Sequence, residues 1–330
     1  MGKLTITIAC RGYDRVRALI DGTVAVDGCE AVVLPWKAEE IFLRAYDGAQ
    51  FDVTELSMSS HILTTAMGIA RYVAIPVFIS RMFRHSAIYV RTDRNIAAPV
   101  DLRGKTVGVP EYQMTAALWA RGMLSDEYGV RSEQIHWRTG GVETPGRAEK
   151  FGLVVKPPFD VRAIPKGRTL NELLARGELD ALVSARPPSC FAGEKSPVRR
   201  LFANYREAEA RYFQKTGLFP IMHVIGIRRD LAERYPWLAG AIFRAFQRAQ
   251  AACVAAMADD NALDVMLPWM LDELAATKKI MGANYWPYGI EANRTAISAM
   301  VRYAHEQGLT DRELAIEELF VVGADHGAKI

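Results

Sequence analysis

Cysteine is scarce and scattered in this chain of 330 residues. Cys10, Cys29, Cys190 and Cys253 form no CxxC pair and have no histidine-rich partner spacing. That pattern excludes a zinc motif or a disulfide framework as the organising device and predicts four free, mostly buried thiols. Net charge is also low, at +3. The basic residues are spread rather than massed, so neither a nucleic-acid footprint nor an anionic-membrane footprint is present, while a small anionic ligand remains compatible. Long apolar runs are lacking too. The longest helical one, "WLAGAIFRAFQRAQAACVAAMA", carries Arg244 and Arg248 and reads as a soluble helix rather than a membrane span. Only seven uncharged residues separate Lys3 from Arg11, too few for a signal peptide's apolar core and cleavage site, and Ile6 stands where a myristoylation signal needs Ser or Thr. A cytoplasmic protein is expected, with no membrane and no nucleic acid among its partners.

What is present is an ordinary globular composition, 50% hydrophobic and 24% charged, long enough for about two domains. "LTITIA" and "CEAVVLP" have the β-branched content of strands, separated by a short helical segment that ends at Gly22. "AEEIFLRAYDG" places Ile41, Phe42, Ala45 and Tyr46 on one helical face and stops at Gly48. "FDVTELS" then reads as a strand feeding a helix that Ser57 or Ser59 caps. A weak echo follows in "ELLARGELDALVSAR", whose helix has a capping box in Thr169 and Glu172. "DLRGKTVGVPEYQMTAALWARGMLSDEYGV" supplies a strand, a loop and a helix starting near Gln113 to Thr115, an arrangement whose free N–H groups favour an anion.

After another strand in "FPIMHVIGIRRD" the remainder reads as helical, with Pro268 as a kink in "ALDVMLPWMLDELAATKKIMG". Such a tail must bury its apolar face on one of the α/β units. The expected chain builds a first lobe from residues 1–92 and 220–330 and a second from 93–219. Two crossings leave a ligand cleft between the lobes.

One stretch resists a purely structural reading. "FISRMFRHSAIYVR", residues 78–91, sets Arg81, Arg84 and His85 in an otherwise apolar segment, where an unpaired cation is costly.

Together with "ACRGYDRVRALIDGTV", "FDVTELSMSSHI", "LRGKTVGVPEYQMTAALWARGMLSDEYGV" and "IMHVIGIRRD", this stretch resembles the 4,5-dihydroxyphthalate decarboxylase family over nearly the whole chain. The resemblance implies an α/β, two-lobed fold similar to type II periplasmic binding proteins, with the helical C-terminal segment packed on the first lobe. It implies a homo-oligomer and a small aromatic dicarboxylate substrate bearing two phenolic hydroxyls. Fold alone does not settle the activity.

Direct loss of carbon dioxide from an aromatic carbon leaves an aryl anion that the π system cannot absorb. Protonating the carbon that bears the departing carboxylate avoids it, with the para hydroxyl stabilising the cation. This chemistry needs a proton donor, an acceptor at the hydroxyl and cations for the carboxylate that stays. On that basis Arg81 and Arg84 are expected carboxylate anchors and His85 the favoured general acid. Each arginine has an alternative use in a salt bridge with Asp52, Glu55 or Asp93.

Arg84 and His85 enter one site only if the chain bends between them. Arg11, Tyr13 and Arg15 follow the first strand at the edge where ligands of open α/β sheets lie. Glu55 either accepts a phenolic proton or holds an arginine, the second being preferred. His223 is by default a hydrogen-bonded core residue, with a role as second acid or base open. Ser57, Tyr112, Thr115 and Arg186 are expected to close on the ligand, while Trp286 and Tyr288 stack on it or pack the tail. No cofactor is expected. A divalent metal held by Glu55, His61, His85 and His223 is the minority alternative, since their spacing matches no metal motif. A binding protein for a small aromatic acid, or a decarboxylase of a related hydroxylated acid, are the rival functions.

Overall fold

The computed structural model describes residues 2–193, 195–321 and 323. Strands β1 (Leu4–Ala9), β2 (Cys29–Leu34), β3 (Val53–Ser57) and β4 (Tyr72–Arg81) begin the first sheet. A second contains β5 (Ile88–Arg91), β6 (Thr106–Val109), β7 (His136–Thr139), β8 (Asp160–Ala163), β9 (Ala181–Val183) and β10 (Val198–Arg200), in the order β10-β5-β9-β6-β7-β8. The chain then returns with β11 (Ile221–Arg228), which inserts antiparallel between β3 and β4 and completes the order β2-β1-β3-β11-β4.

The crossings come at residues 82–87 and 201–220, so the outward one precedes the expected boundary near 92. The apolar run of β5 reads as a continuation of β4, although it already belongs to the second sheet. The return contains a helix, Tyr205–Thr216, that its polar sequence hid. Its single fully buried side chain is Tyr212, too thin a stripe for the periodicity to show.

Local signals hold where a side chain meets a specific backbone group. Thr169 accepts a hydrogen bond from the Glu172 N–H at 3.1 Å and starts the helix Leu170–Arg176, which Gly177 ends at φ 78°. Residues 262–269 are not helical. The tail divides into Trp237–Met257 and Met270–Met281, and Pro268 precedes the second helix instead of kinking it. The first tail helix packs on β4 and on the turn after β1, within the first lobe. The last, Arg294–Glu306, packs against Met58–Ala66 of the first lobe and also Thr115–Tyr128 of the second. Close approach there depends on Gly122, where a Cβ would lie 2.3 Å from the ring of Tyr303.

The outward crossing answers what neutralises the two arginines of residues 78–91. Among the described residues neither meets a carboxylate. Arg81 donates to the main-chain carbonyls of Phe219 (2.9 Å) and Pro287 (3.0 Å) and to the side-chain oxygen of Asn293. It borders a cavity of about 220 Å³ walled by Phe213, Phe219 and Asn293, on the side of the tail helices. Arg84 rests on sulfur, with Nη2 and Nε 2.6 and 3.2 Å from Met222 Sδ and Nη1 3.7 Å from Met82 Sδ. Burial lowers both guanidinium pKa values, to about 9 for Arg81 and about 10 for Arg84. The alternative partners are engaged elsewhere, Asp52 with Arg228 and Asp93 with Arg91.

The chain does bend here. Arg84 leaves the extended region (φ −126°, ψ 7°) and a short 3₁₀ turn, His85–Ala87, follows. His85 is 1% exposed, edge-on to Phe202 and Tyr212 at 5.0 and 5.3 Å, with neither ring nitrogen hydrogen-bonded. Burial lowers its pKa to about 4, so the ring is neutral near pH 7 and is poorly suited to the general-acid role expected of it.

Two consequences are measurable. Gly122→Ala must displace the Tyr303 ring, which is itself held by Trp119. It should lower unfolding free energy by about 1–3 kcal/mol, read from the denaturant midpoint. His61 and His85 both have folded pKa values of about 4 against 6.5 unfolded. The unfolded chain therefore binds more protons between those values, and the histidine contribution is intact above pH 6.5 and lost as pH falls toward 4. Stability should drop across that window, by about 1.4 kcal/mol per pH unit for each histidine at most, and His85→Leu should flatten the slope by about one such contribution.

Candidate active site

The buried carboxylate of Glu55 organises the part of the first sheet nearest the second lobe. Every residue of β3 is buried, and Glu55 itself has no exposed surface, so its charge must be met by protein donors. Three arrive. The N–H of Arg11, just past the end of β1, donates to Oε2 at 2.8 Å, the Tyr13 hydroxyl donates to Oε1 at 2.7 Å, and His223 Nδ1 lies 2.6 Å from the same Oε1. Burial raises the Glu55 pKa, but the His223 contact and the other two donors outweigh it and hold the carboxyl below the ordinary range. Burial and then the Glu55 charge push the Tyr13 phenol far up, so it stays a donor.

With Glu55 ionised, Nδ1 of His223 carries the proton between them. Nε2 makes no hydrogen bond among the described residues and is the nitrogen available for chemistry. The β11 register sets the imidazole between Ser57 of β3 and Ser80 of β4. Phe42 braces it edge-on at 4.9 Å, while 21% of the side chain stays exposed. A buried carboxylate orienting a partly exposed imidazole is an acid–base arrangement. Glu55 therefore holds a histidine rather than an arginine, and His223 is hydrogen-bonded to it with part of its side chain exposed.

Arg11 is exposed, its guanidinium 5.9 Å from the Tyr13 ring and in no ion pair among the described residues. Arg15 is placed differently from expectation. Its guanidinium lies between the rings of Tyr13 (4.1 Å) and Trp286 (4.4 Å), and Nε donates to the Ile79 carbonyl at 2.6 Å. Arg15 thus steadies Tyr13, and Trp286 is used in that stack, while Tyr288 is buried in the tail packing.

Beside this pair the two lobes meet through hydroxyls. Thr115 Oγ1, at the start of Thr115–Tyr128, lies 3.0 Å from Ser57 Oγ and 2.8 Å from Ser59 Oγ, and Ser59 Oγ donates to the Gln113 carbonyl at 2.6 Å. Ser57 opens the helix Met58–Ala66 without a side-chain capping bond, since its hydroxyl faces Thr115. Arg186 bridges the lobes at the surface through Glu39, at 2.9 and 3.0 Å.

The Tyr112 side chain turns away from the site. Its hydroxyl is buried against Ser132 Oγ (2.7 Å) and the Gln307 carbonyl (3.1 Å), inside the second lobe's contact with the tail. His61 is likewise apart, on the Leu319 carbonyl at 2.9 Å. Of the four residues considered for a metal, only Glu55 and His223 come together. Among the described residues no three His, Cys, Asp or Glu side chains gather in ligating range. Phe42 went unnoticed as a site neighbour, although it lies on the helical face the sequence displays, while Ser59 was read only as a helix cap and Gln113 as part of an anion-favouring helix start.

No protein-family model matches the chain. The chain is 44% identical over 320 residues to 4,5-dihydroxyphthalate decarboxylase of Comamonas testosteroni, covering 97% of each. It is 43% identical over 216 residues to the enzyme of the same name from Pseudomonas putida, covering 65% of this chain and 83% of that one. Among solved structures it is similar to the periplasmic aliphatic sulphonate binding protein SsuA from Escherichia coli, with TM-score 0.53, 15% identity and coverage of 97% and 98%. It is also similar to the periplasmic sulfonate-binding protein SsuA from Methylobacillus flagellatus KT, with TM-score 0.50, 14% identity and coverage of 97% and 92%. These two likenesses carry the fold alone, that of a two-lobed type II periplasmic binding protein. A relative this similar across nearly the full length carries more: the chain belongs to the 4,5-dihydroxyphthalate decarboxylase family.

Proposed function

We propose that this chain converts 4,5-dihydroxyphthalate to protocatechuate and carbon dioxide without a cofactor, in cytoplasmic phthalate catabolism and as a homo-oligomer. The observation that carries the reading is the 44% identity to a decarboxylase of that substrate, and the Glu55–His223 pair at 2.6 Å supplies an acid–base group suited to it.

In this reading His223, as imidazolium, transfers the Nε2 proton to the ring carbon bearing one carboxylate. The hydroxyl para to that carbon stabilises the cation. The carbon–carboxylate bond then breaks, its electron pair restores the aromatic ring, carbon dioxide departs, and water returns a proton to His223. The ionised Glu55 stabilises the imidazolium and fixes its orientation. This moves the proton donor from His85 to His223. The free guanidinium of Arg11 is the anchor for the carboxylate that stays, with Arg186 available once it leaves Glu39. Arg84, which has only sulfur acceptors among the described residues, remains a further carboxylate contact in the proposal, whereas both Nη atoms of Arg81 are already held by oxygen.

Incubating pure protein with 4,5-dihydroxyphthalate should yield protocatechuate and carbon dioxide in equal amounts. A substrate that binds but persists indicates a binding protein, and turnover of a different hydroxylated acid alone reassigns the substrate. His223→Asn and Glu55→Gln should each lower kcat by about 10²–10⁴-fold with the fold retained. Arg11→Met should mainly raise KM, as expected for loss of an interaction common to ground and transition states.

A further inference from the structure

The second lobe already holds a carboxylate just past the end of its interior strand β6. After β6, the main-chain N–H of Tyr112 donates to Glu149 Oε1 and that of Gln113 to Glu149 Oε2, a two-oxygen grip just ahead of the helix Thr115–Tyr128. Beneath it lies Arg121, 1% exposed, whose guanidinium covers the Tyr112 ring at 3.8 Å and donates from Nη2 to the Tyr112 carbonyl at 2.6 Å. Among the described residues Arg121 Nη1 has no partner, and neither has Oε1 of the buried Gln113. Two peptide donors over a buried cation form a seat for an anion, and a carboxylate of this chain shows which anion fits.

Glu149 comes from the long connection between β7 and β8, and neighbouring contacts strap that connection down. Arg147 and Lys150 pair with the buried Glu111 at 2.6 and 3.4 Å, and Phe151 reaches the first lobe to pack edge-on against Tyr46 at 5.0 Å. The seat adjoins the acid–base pair. Gln113 and Thr115 contact Ser59 and Ser57, and Ser57 is the β3 register partner of His223.

We propose that the Tyr112–Gln113 amides are a carboxylate seat of the second lobe, that Glu149 fills it when no ligand is bound, and that a ring carboxylate displaces Glu149 and releases the 142–158 strap. The identity of that ring acid rests on the decarboxylase reading; the seat does not. Occupation by Glu149 reduces apparent affinity by the fraction of molecules in which the seat is closed.

The test uses phthalate, which carries the two carboxylates without the hydroxyls. By calorimetry, Glu149→Ala should bind phthalate about tenfold more tightly than the natural chain. Saturating phthalate should also speed tryptic cleavage of the natural chain after Arg147 and Lys150. Equal or weaker binding by the variant, no phthalate binding to either protein, or protection of those two sites overturns the proposal. The proteolysis readout needs no variant and so survives a Glu149→Ala chain that fails to fold. Tighter phthalate binding by the variant, with 4,5-dihydroxyphthalate left intact by the natural chain, keeps the seat and removes the decarboxylase reading. Turnover without tightening does the reverse.

Discussion

A carboxylate with no exposed surface, on a strand buried from end to end, can persist only if donors are brought to it. Glu55 draws in the peptide that follows β1, the phenol two residues further on and an imidazole from a strand 168 residues later. Each donor satisfies the charge, and each is thereby fixed in place. The arrangement of the site is a consequence of neutralising one side chain. Arg15 extends the same logic outward, since its stacking on Tyr13 and Trp286 ties the phenol to the tail.

The two buried guanidinium groups of the outward crossing show a different solution. Arg81 is met by carbonyl oxygens and an amide, Arg84 by thioethers. Carbonyl dipoles can share a cation's charge, whereas thioether sulfur is a weak acceptor. The two arginines are thus equally buried, and each keeps unused capacity, Arg84 through weak sulfur acceptors and Arg81 through an Nε without a partner among the described residues.

Much of the architecture was legible because it is local. Alternating β-branched residues mark β1, the Thr169–Glu172 spacing marks a helix start, and Pro and Gly punctuate the connections. The order of α/β units followed by helices led to two lobes. Missing was what depends on neighbours remote in sequence. His223 lies among isoleucines that look like ordinary core, and nothing in its own segment reports that β11 inserts beside β3. Arg81, Arg84 and His85 announced themselves as polar groups in an apolar run. Sequence could not say that peptide oxygens, sulfur and aromatic edges surround them. Tyr112 shows the same limit: position near a helix start locates a backbone N–H, while the side chain turned into the core.

The insertion of β11 between β3 and β4 also sets a schedule. While the ribosome is still extending the chain, the first lobe has β1, β2, β3 and β4 but lacks the strand that joins β4 to the others. Glu55 then has no imidazole partner, and the inner edges of β3 and β4 stay open until the whole second lobe has been made and the chain has doubled back. The first lobe cannot mature as an autonomous unit ahead of the second, despite containing the N-terminus. Completion of the sheet and assembly of the acid–base pair are one late event.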